Sequence, residues 1–325
     1  MYDLIIIGGG AAGFGAGVYA GRYELSVALF EGPKPGGETA TGGKFENYPG
    51  IVAIDGYDLY QQMRLHAGAV GTKVMPGTVT AVSRDGGCFS VRTDDGKERH
   101  TASVIFAHGQ SRRYLGLPNE EALTGHGVSY CATCDGPLYK GKIVAVVGGG
   151  DASVKGVNLL AEYAHKIYLI VRGDAIIAEP VNETRMRHKG NKVEILFTTE
   201  VKELIEREGK FTGVRLSKQF SDSDRLMLDG LFIEIGAKPE TVLPEALGLT
   251  LNDKGYIHVD QFQRTNVRGV FAAGDCTDGS GDFRQAIMAA AQGSMAATSA
   301  YEYVRNNGNL CEEHAKPPEA ANQES

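Results

Sequence analysis

Two stretches of this chain share one pattern of apolar and polar positions. Residues 2–22, "YDLIIIGGGAAGFGAGVYAGR", open on a β-branched apolar run, break at glycines and continue at helical spacing. Residues 142–163, "KIVAVVGGGDASVKGVNLLAEY", repeat the device. A run that is apolar at every position predicts a strand covered on both faces, as in a parallel sheet. Each copy therefore reads as strand–turn–helix, the opening of a βαβ unit. A further strand follows each, "LSVALFE" at 25–31 and "KIYLIVR" at 166–172. The prediction is an α/β chain with two Rossmann-like dinucleotide-binding domains.

Between these stretches the period changes. Residues 74–106 alternate apolar and polar with Gly/Asp turns, which predicts a small antiparallel meander; residues 193–235 repeat that character. "GVFAAGD" at 269–275 predicts a short buried strand ending in a turn. "FRQAIMAAAQGSMAATSAYEYVRNN" then reads as one long Ala-rich helix. The polar, Pro-containing tail, residues 308–325, is expected to be disordered.

Composition narrows the function. A length of 325 residues fits about two domains at ~150 residues each. The net charge of −7 argues against nucleic acid or an anionic membrane as partner, since both need a basic face. The longest apolar runs are strand-sized, far short of the roughly 18 residues a membrane span needs. A buried strand starting at Tyr2 leaves no room for a signal peptide, so a reducing, cytoplasmic setting is expected. Glycine stands at 44 positions, without a collagen period. These glycines mark tight turns and close approaches of backbone to ligand.

The first turn carries Gly8-x-Gly10-x-x-Gly13, with Ala11 and Ala12 between. Gly8 permits the tight turn, Gly10 lets N–H groups approach a pyrophosphate, and Gly13 lets the helix pack on the strand. The pyrophosphate would sit at the helix N-terminus, where unpaired N–H groups and the dipole favour an anion. Glu31 ends the next strand, where a carboxylate can accept ribose hydroxyls. "GDCTDGSGDFRQA", residues 274–286, offers Asp275 for a sugar-alcohol chain and Arg284–Ala286 for a ring edge; an ordinary capped helix reads as well there. The second turn reads Gly148-x-Gly150-x-x-Ser153, serine being small enough for the helix–strand contact. Asp151 would repel a pyrophosphate unless it points away. Arg172 stands at the end of the second strand but Gly173 follows it, so neither NAD nor NADP is selected by that strand end alone.

Five cysteines occur, Cys88, Cys131, Cys134, Cys276 and Cys311, an odd set at irregular spacing that is no disulfide framework. Cys88 and Cys276 read as small buried residues and Cys311 as incidental. "SYCATCDG", residues 129–136, holds the notable pair. A structural zinc needs four ligands, and no second Cys-x-x-Cys exists. No metal is predicted. A staple is disfavoured by the tiny loop it would close. Redox chemistry has a mechanism. A helix start lowers a thiol's pKa, and Asp135 beside the pair can shuttle protons.

Taken together, "GGGAAG", "GGE" with "ENYPG" at 46–50, "CATCDG", "GGGDAS" and "AAGDCTD…RQA" resemble the low-molecular-weight, bacterial and archaeal type of thioredoxin reductase over roughly residues 1–305. The resemblance implies a discontinuous FAD domain, residues 1–113 and 245–325, with a nicotinamide domain inserted at 116–243. Each domain would be a three-layer ββα fold. It places Gly32, Gly37, Glu38, Asn47, Val79, Ala107, Gly109, Gly274, Asp275, Arg284, Gln285 and Ala286 against FAD. His108 stands where the family usually has threonine. Cys134 would exchange electrons with FAD, Cys131 would attack the disulfide of a thioredoxin-like Cys-x-x-Cys protein, and Asp135 would move protons. The family works as a homodimer and rotates one domain against the other. NADPH-using members carry His-Arg-Arg and a further Arg; the aligned positions here are Val171, Arg172, Gly173 and Ile177. Two lost phosphate contacts cost about 3–6 kcal/mol, roughly 10²–10⁴ in affinity. NADH is therefore expected to serve at least as well as NADPH, or else another donor such as reduced ferredoxin. Two other readings remain. One is a dithiol oxidase passing electrons from a small dithiol through FAD to oxygen. The other is a flavin-bound redox sensor without turnover.

Overall fold

The computed structural model describes residues 1–306, and the chain divides into two compact units. The first comprises Met1–Ala40, Lys44–Ser111 and the chain from Pro239; the second comprises Thr41–Gly43 and Arg112–Lys238. The main crossings fall at 111/112 and 238/239. Each crossing lies within a short strand, Gln110–Arg112 and Ala237–Pro239, and the two strands pair. The tail and Cys311 lie outside the described residues.

The first unit is built on a seven-stranded sheet. Its parallel part runs Lys73–Met75, Val27–Phe30, Tyr2–Ile7, Glu98–Phe106, with Val270–Ala272 also beside Glu98–Phe106. Ile7 is level with Phe30 and Phe106, and Phe106 with Ala272, so these strands finish together. Leu4 and Ile6 face helices Ala11–Arg22, Gly56–Ala69 and Ala286–Asn306. Ile5 and Ile7 face Phe89, Val91, Leu249 and Ile257 on the other side. Two buried faces explain why the strand is apolar at every position.

Two expectations need correction here. Lys73–Met75 is a parallel strand beside Val27–Phe30 and no part of the meander, which is Val79–Asp85, Cys88–Thr93 and Glu98–Phe106. Alternation over three residues cannot tell these apart. The last helix begins at Ala286 rather than Phe283, because Phe283 and Arg284 close turns onto Ser280 and Asp282. That helix crosses Ala11–Arg22 at van der Waals distance: a Cβ on Gly293 would lie 1.9 Å from the Ala12 carbonyl oxygen.

The second unit has a five-stranded parallel sheet in the order Val128–Ser129, Gly230–Ile233, Ile143–Val147, Lys166–Ile170, Val193–Leu196. Val154, Val157 and Leu160 of helix Asp151–Leu160 cover one face. The antiparallel strands Val201–Arg207, Lys210–Phe220 and Ser223–Met227 cover the other through Leu204, Phe211 and Val214. No described helix is long and apolar enough to cross a membrane.

Candidate active site

The ends of the five parallel strands in the first unit gather the predicted residues. Gly8–Gly10 follow Tyr2–Ile7, Glu31 and Gly32 follow Val27–Phe30, Ala107–Gly109 follow Glu98–Phe106, and Gly274–Asp275 follow Val270–Ala272. Ligands of open α/β sheets bind in that crevice. Gly8 is held at φ +116°, and a Cβ there would fall 2.3 Å from the Ala107 carbonyl oxygen, so only glycine serves. Gly10 has no atom within 4 Å of where a Cβ would be, which leaves room at the helix start for a phosphate. Ala11 and Ala12 are buried in the first helical turn.

The other predicted residues of this unit fall into two groups. Asn47 donates from Nδ2 to Gln285 Oε1 at 3.1 Å, and Arg284 reaches the carbonyls of Asp275 and Thr277 at 3.4 Å. Burial raises the Asp275 carboxyl above its ordinary value; Arg284 opposes this and Glu38 adds to it. Gly37 and Glu38 open the short helix Gly37–Thr41, and Ala286 opens the last helix. The Val79 side chain lies in the same core cluster as Phe30 and Phe89. Glu31 is buried and engaged by Tyr60 and Arg64. A buried acid at one strand end, an open glycine turn on the next strand and a half-buried acid two strands beyond that turn fit a dinucleotide carrying two polyhydroxyl groups. FAD is such a molecule.

His108 is the odd residue of this crevice. It is half-buried as a residue, yet both ring nitrogens are shut off from solvent and make no hydrogen bond among the described residues. Burial pushes the imidazole down to about 4, with Glu240 and the Gly109 backbone opposing only in part. The ring is neutral near pH 7. The Cys276 thiol beside this turn is buried, and burial pushes it up to about 12, so it is inert.

In the second unit Cys131 and Cys134 are joined in a disulfide, with Cα atoms 5.3 Å apart. Cys131 caps the single turn Ala132–Asp135, its Sγ accepting from the Cys134 N–H at 3.1 Å. Cys131 is half-buried and Cys134 exposed. Ser129, which the sequence reading left out, donates from Oγ to Asp135 Oδ2 at 2.6 Å and accepts from the Cys131 N–H at 3.1 Å. The acid is thereby tied to the end of strand Val128–Ser129, beside the cysteines.

The second glycine turn repeats the first. Gly148 sits at φ +141°, and its Cβ would lie 2.2 Å from the Glu234 carbonyl oxygen. Gly150 precedes the helix, and buried Ser153 donates to the Gly150 carbonyl at 2.7 Å. Asp151 is turned aside. Its Oδ1 accepts from the Glu179 N–H and from Asn182, and its Oδ2 pairs with Lys155 at 2.9 Å. Burial raises this carboxyl, but the bonds from Asn182, Lys155 and Glu179 hold it below the ordinary carboxylate range. At the strand end Arg172 is exposed and Ile177 is 82% exposed. The Thr198 N–H bonds the Gly173 carbonyl at 2.8 Å, which sets Thr198–Glu200 alongside Val171–Gly173. Glu200 pairs with Lys202 and feels Arg172, while Lys218 donates to Thr198 Oγ1 at 2.7 Å.

Residues 2–293 match the pyridine nucleotide-disulphide oxidoreductase family. The chain belongs to that family. It is 39% identical over 305 residues to a thioredoxin reductase of Bacillus subtilis, covering 94% of this chain and 95% of that protein. Its structure matches a Lactococcus lactis thioredoxin reductase with a TM-score of 0.87 at 32% identity, covering 94% of this chain and 100% of the other. It matches a T. acidophilum thioredoxin reductase with a TM-score of 0.86 at 34% identity, covering 93% and 98%. This pyridine nucleotide-disulphide oxidoreductase is an enzyme, a flavoprotein of the thioredoxin reductase kind.

Proposed function

We propose that the enzyme reduces the disulfide of a thioredoxin-like protein, as a homodimer, with FAD in the first unit and a donor that is not strictly NADPH. The observation that carries this reading is the Cys131–Cys134 disulfide with Asp135 tied beside it. Gly8–Gly13, Glu31 and Asp275 would hold FAD, which would supply the conversion of a hydride into the electrons that reduce the disulfide. The reduced Cys131 thiolate attacks one sulfur of the partner's disulfide and forms a mixed disulfide. Cys134 then attacks Cys131, releases the partner's second thiolate and restores the Cys131–Cys134 bond. Two electrons leave the pair, and two protons end on the partner's sulfurs. Asp135 carries protons between the thiols and water.

The donor reading rests on Arg172, Gly173 and exposed Ile177, where a 2′-phosphate would need cations. Lys202 is already paired with Glu200, and Lys218 reaches no carboxylate among the described residues. An anaerobic titration with NADH, NADPH or reduced ferredoxin, following flavin bleaching, tests this. A strong NADPH preference would overturn it and would point to Arg172 and Lys218. In Cys134→Ser, flavin bleaching should persist while reduction of the partner's disulfide is lost.

A further inference from the structure

Glu31 stands where a carboxylate meets the ribose of a bound dinucleotide. Its side chain is not loose. The Tyr60 hydroxyl donates to Oε1 at 2.9 Å, and Arg64 Nε donates to Oε2 at 3.3 Å. Both donors stand on helix Gly56–Ala69, four residues apart and so on one face. Tyr60 is seated in turn. Its ring centroid lies 5.9 Å from that of Phe14 and 5.7 Å from that of Tyr57. Gly36 passes so close that a Cβ there would lie 2.7 Å from the ring. Burial, then the bond to Glu31, push the Tyr60 hydroxyl up to about 12, so it stays protonated and donating across the physiological range.

We propose that Tyr60 and Arg64 are positioning residues of the cofactor site, clamping Glu31 to receive the ribose diol of the adenosine end of FAD. This rests on the FAD reading of the first unit. An ionised carboxylate has about four acceptor sites, two on each oxygen. The clamp takes one on each oxygen and leaves one on each. A vicinal diol presents two O–H donors side by side, which matches one remaining site per oxygen. A free glutamate would lose rotamer freedom on binding the diol; a clamped one has lost it during folding. Arg64 is partly exposed and its ion pair is screened, so Tyr60 carries the larger share.

The test is release of flavin from the holoenzyme after dilution, followed by the rise in flavin fluorescence. It is run with FAD and, after flavin exchange, with FAD lacking the adenosine 2′-hydroxyl. Tyr60→Phe keeps the packed ring and removes only the donor. It should release FAD about tenfold faster, equivalent to about 1.4 kcal/mol, and the gap between FAD and the deoxy form should shrink. Arg64→Met should show the same change at about threefold, with partial recovery in Arg64→Lys. Equal release from Tyr60→Phe and wild type overturns the clamp, as does equal acceleration for both flavins, which marks a role in helix packing alone. Glu31→Ala separates the two levels. If it releases FAD like wild type, the assignment of Glu31 to the diol fails and the clamp fails with it. If it loosens FAD while Tyr60→Phe does not, the clamp alone is refuted.

Discussion

Replacing His108 by leucine tests the environment of the imidazole through acid stability. Burial pushes this ring from 6.5 to about 4 in the fold. In the unfolded chain it takes up a proton as pH falls through about 6.5, while in the fold it stays neutral until about 4. The unfolded state then holds more protons, so stability falls as pH drops across that window and is complete above it. Working the linkage at pH 4.5, the wild type should have lost about 2.6 kcal/mol through this group alone. Leucine fills a similar volume, cannot titrate and removes two nitrogens without partners. Other titrating groups are common to both proteins and cancel in the difference. Urea unfolding of the first unit, followed by flavin fluorescence at pH 8 and at pH 4.5, gives that difference directly. Leucine should narrow the gap between the two pH values by about 2–3 kcal/mol. A change below about 0.5 kcal/mol would show that the imidazole charges freely in the fold, and the argument from burial would be wrong.

Gly8→Ala places a Cβ 2.3 Å from the Ala107 carbonyl oxygen at φ +116°, so both the turn and the sheet edge must move. The protein should lose about 2 kcal/mol or more and purify with little flavin, checked by thermal melting and by the ratio of visible to ultraviolet absorbance. Ser129→Ala cuts the tether of Asp135 and should slow reduction of the partner's disulfide about tenfold while anaerobic flavin bleaching proceeds as in wild type. Unchanged turnover would remove Ser129 from the machinery. Gly173→Arg and Ile177→Arg together should tighten NADPH by roughly 10²-fold or more and leave NADH almost unmoved, read from the concentration that half-bleaches the flavin.

Much of this architecture can be read locally. The strand–glycine–helix units show in the string because a doubly covered strand is apolar at every position and a tight turn needs glycine. Long-range pairings are another matter. Nothing near Asp151 says that its carboxylate will be claimed by Asn182 and the Glu179 N–H, about 30 residues on. Tyr60 and Arg64 have the spacing of one helix face, yet Glu31 as their target emerges only when strand and helix pack together. Ser129 was legible in principle, two residues before Cys131, but a serine in that place has many ordinary uses. Thr198 and Thr199 bond the Gly173 and Val171 carbonyls and so bring Glu200, and Lys218 through Thr198 Oγ1, to that strand end, which no linear motif records.

The Ala11–Arg22 and Ala286–Asn306 helices press together through Gly15 and Gly293, and Tyr23 reaches Thr298 across 275 residues of chain. During synthesis the first helix therefore waits, with its packing face uncovered, until Ala286–Asn306 has left the ribosome. The inserted unit, a single run from Arg112 to Lys238 apart from Thr41–Gly43, can close much earlier. The glycine cradle at Gly8–Gly13 gains its last wall only after that helix has emerged. Uptake of the flavin should thus be among the latest events in the life of a new chain, and truncation before Gly293 should yield a protein with a folded redox pair and no colour.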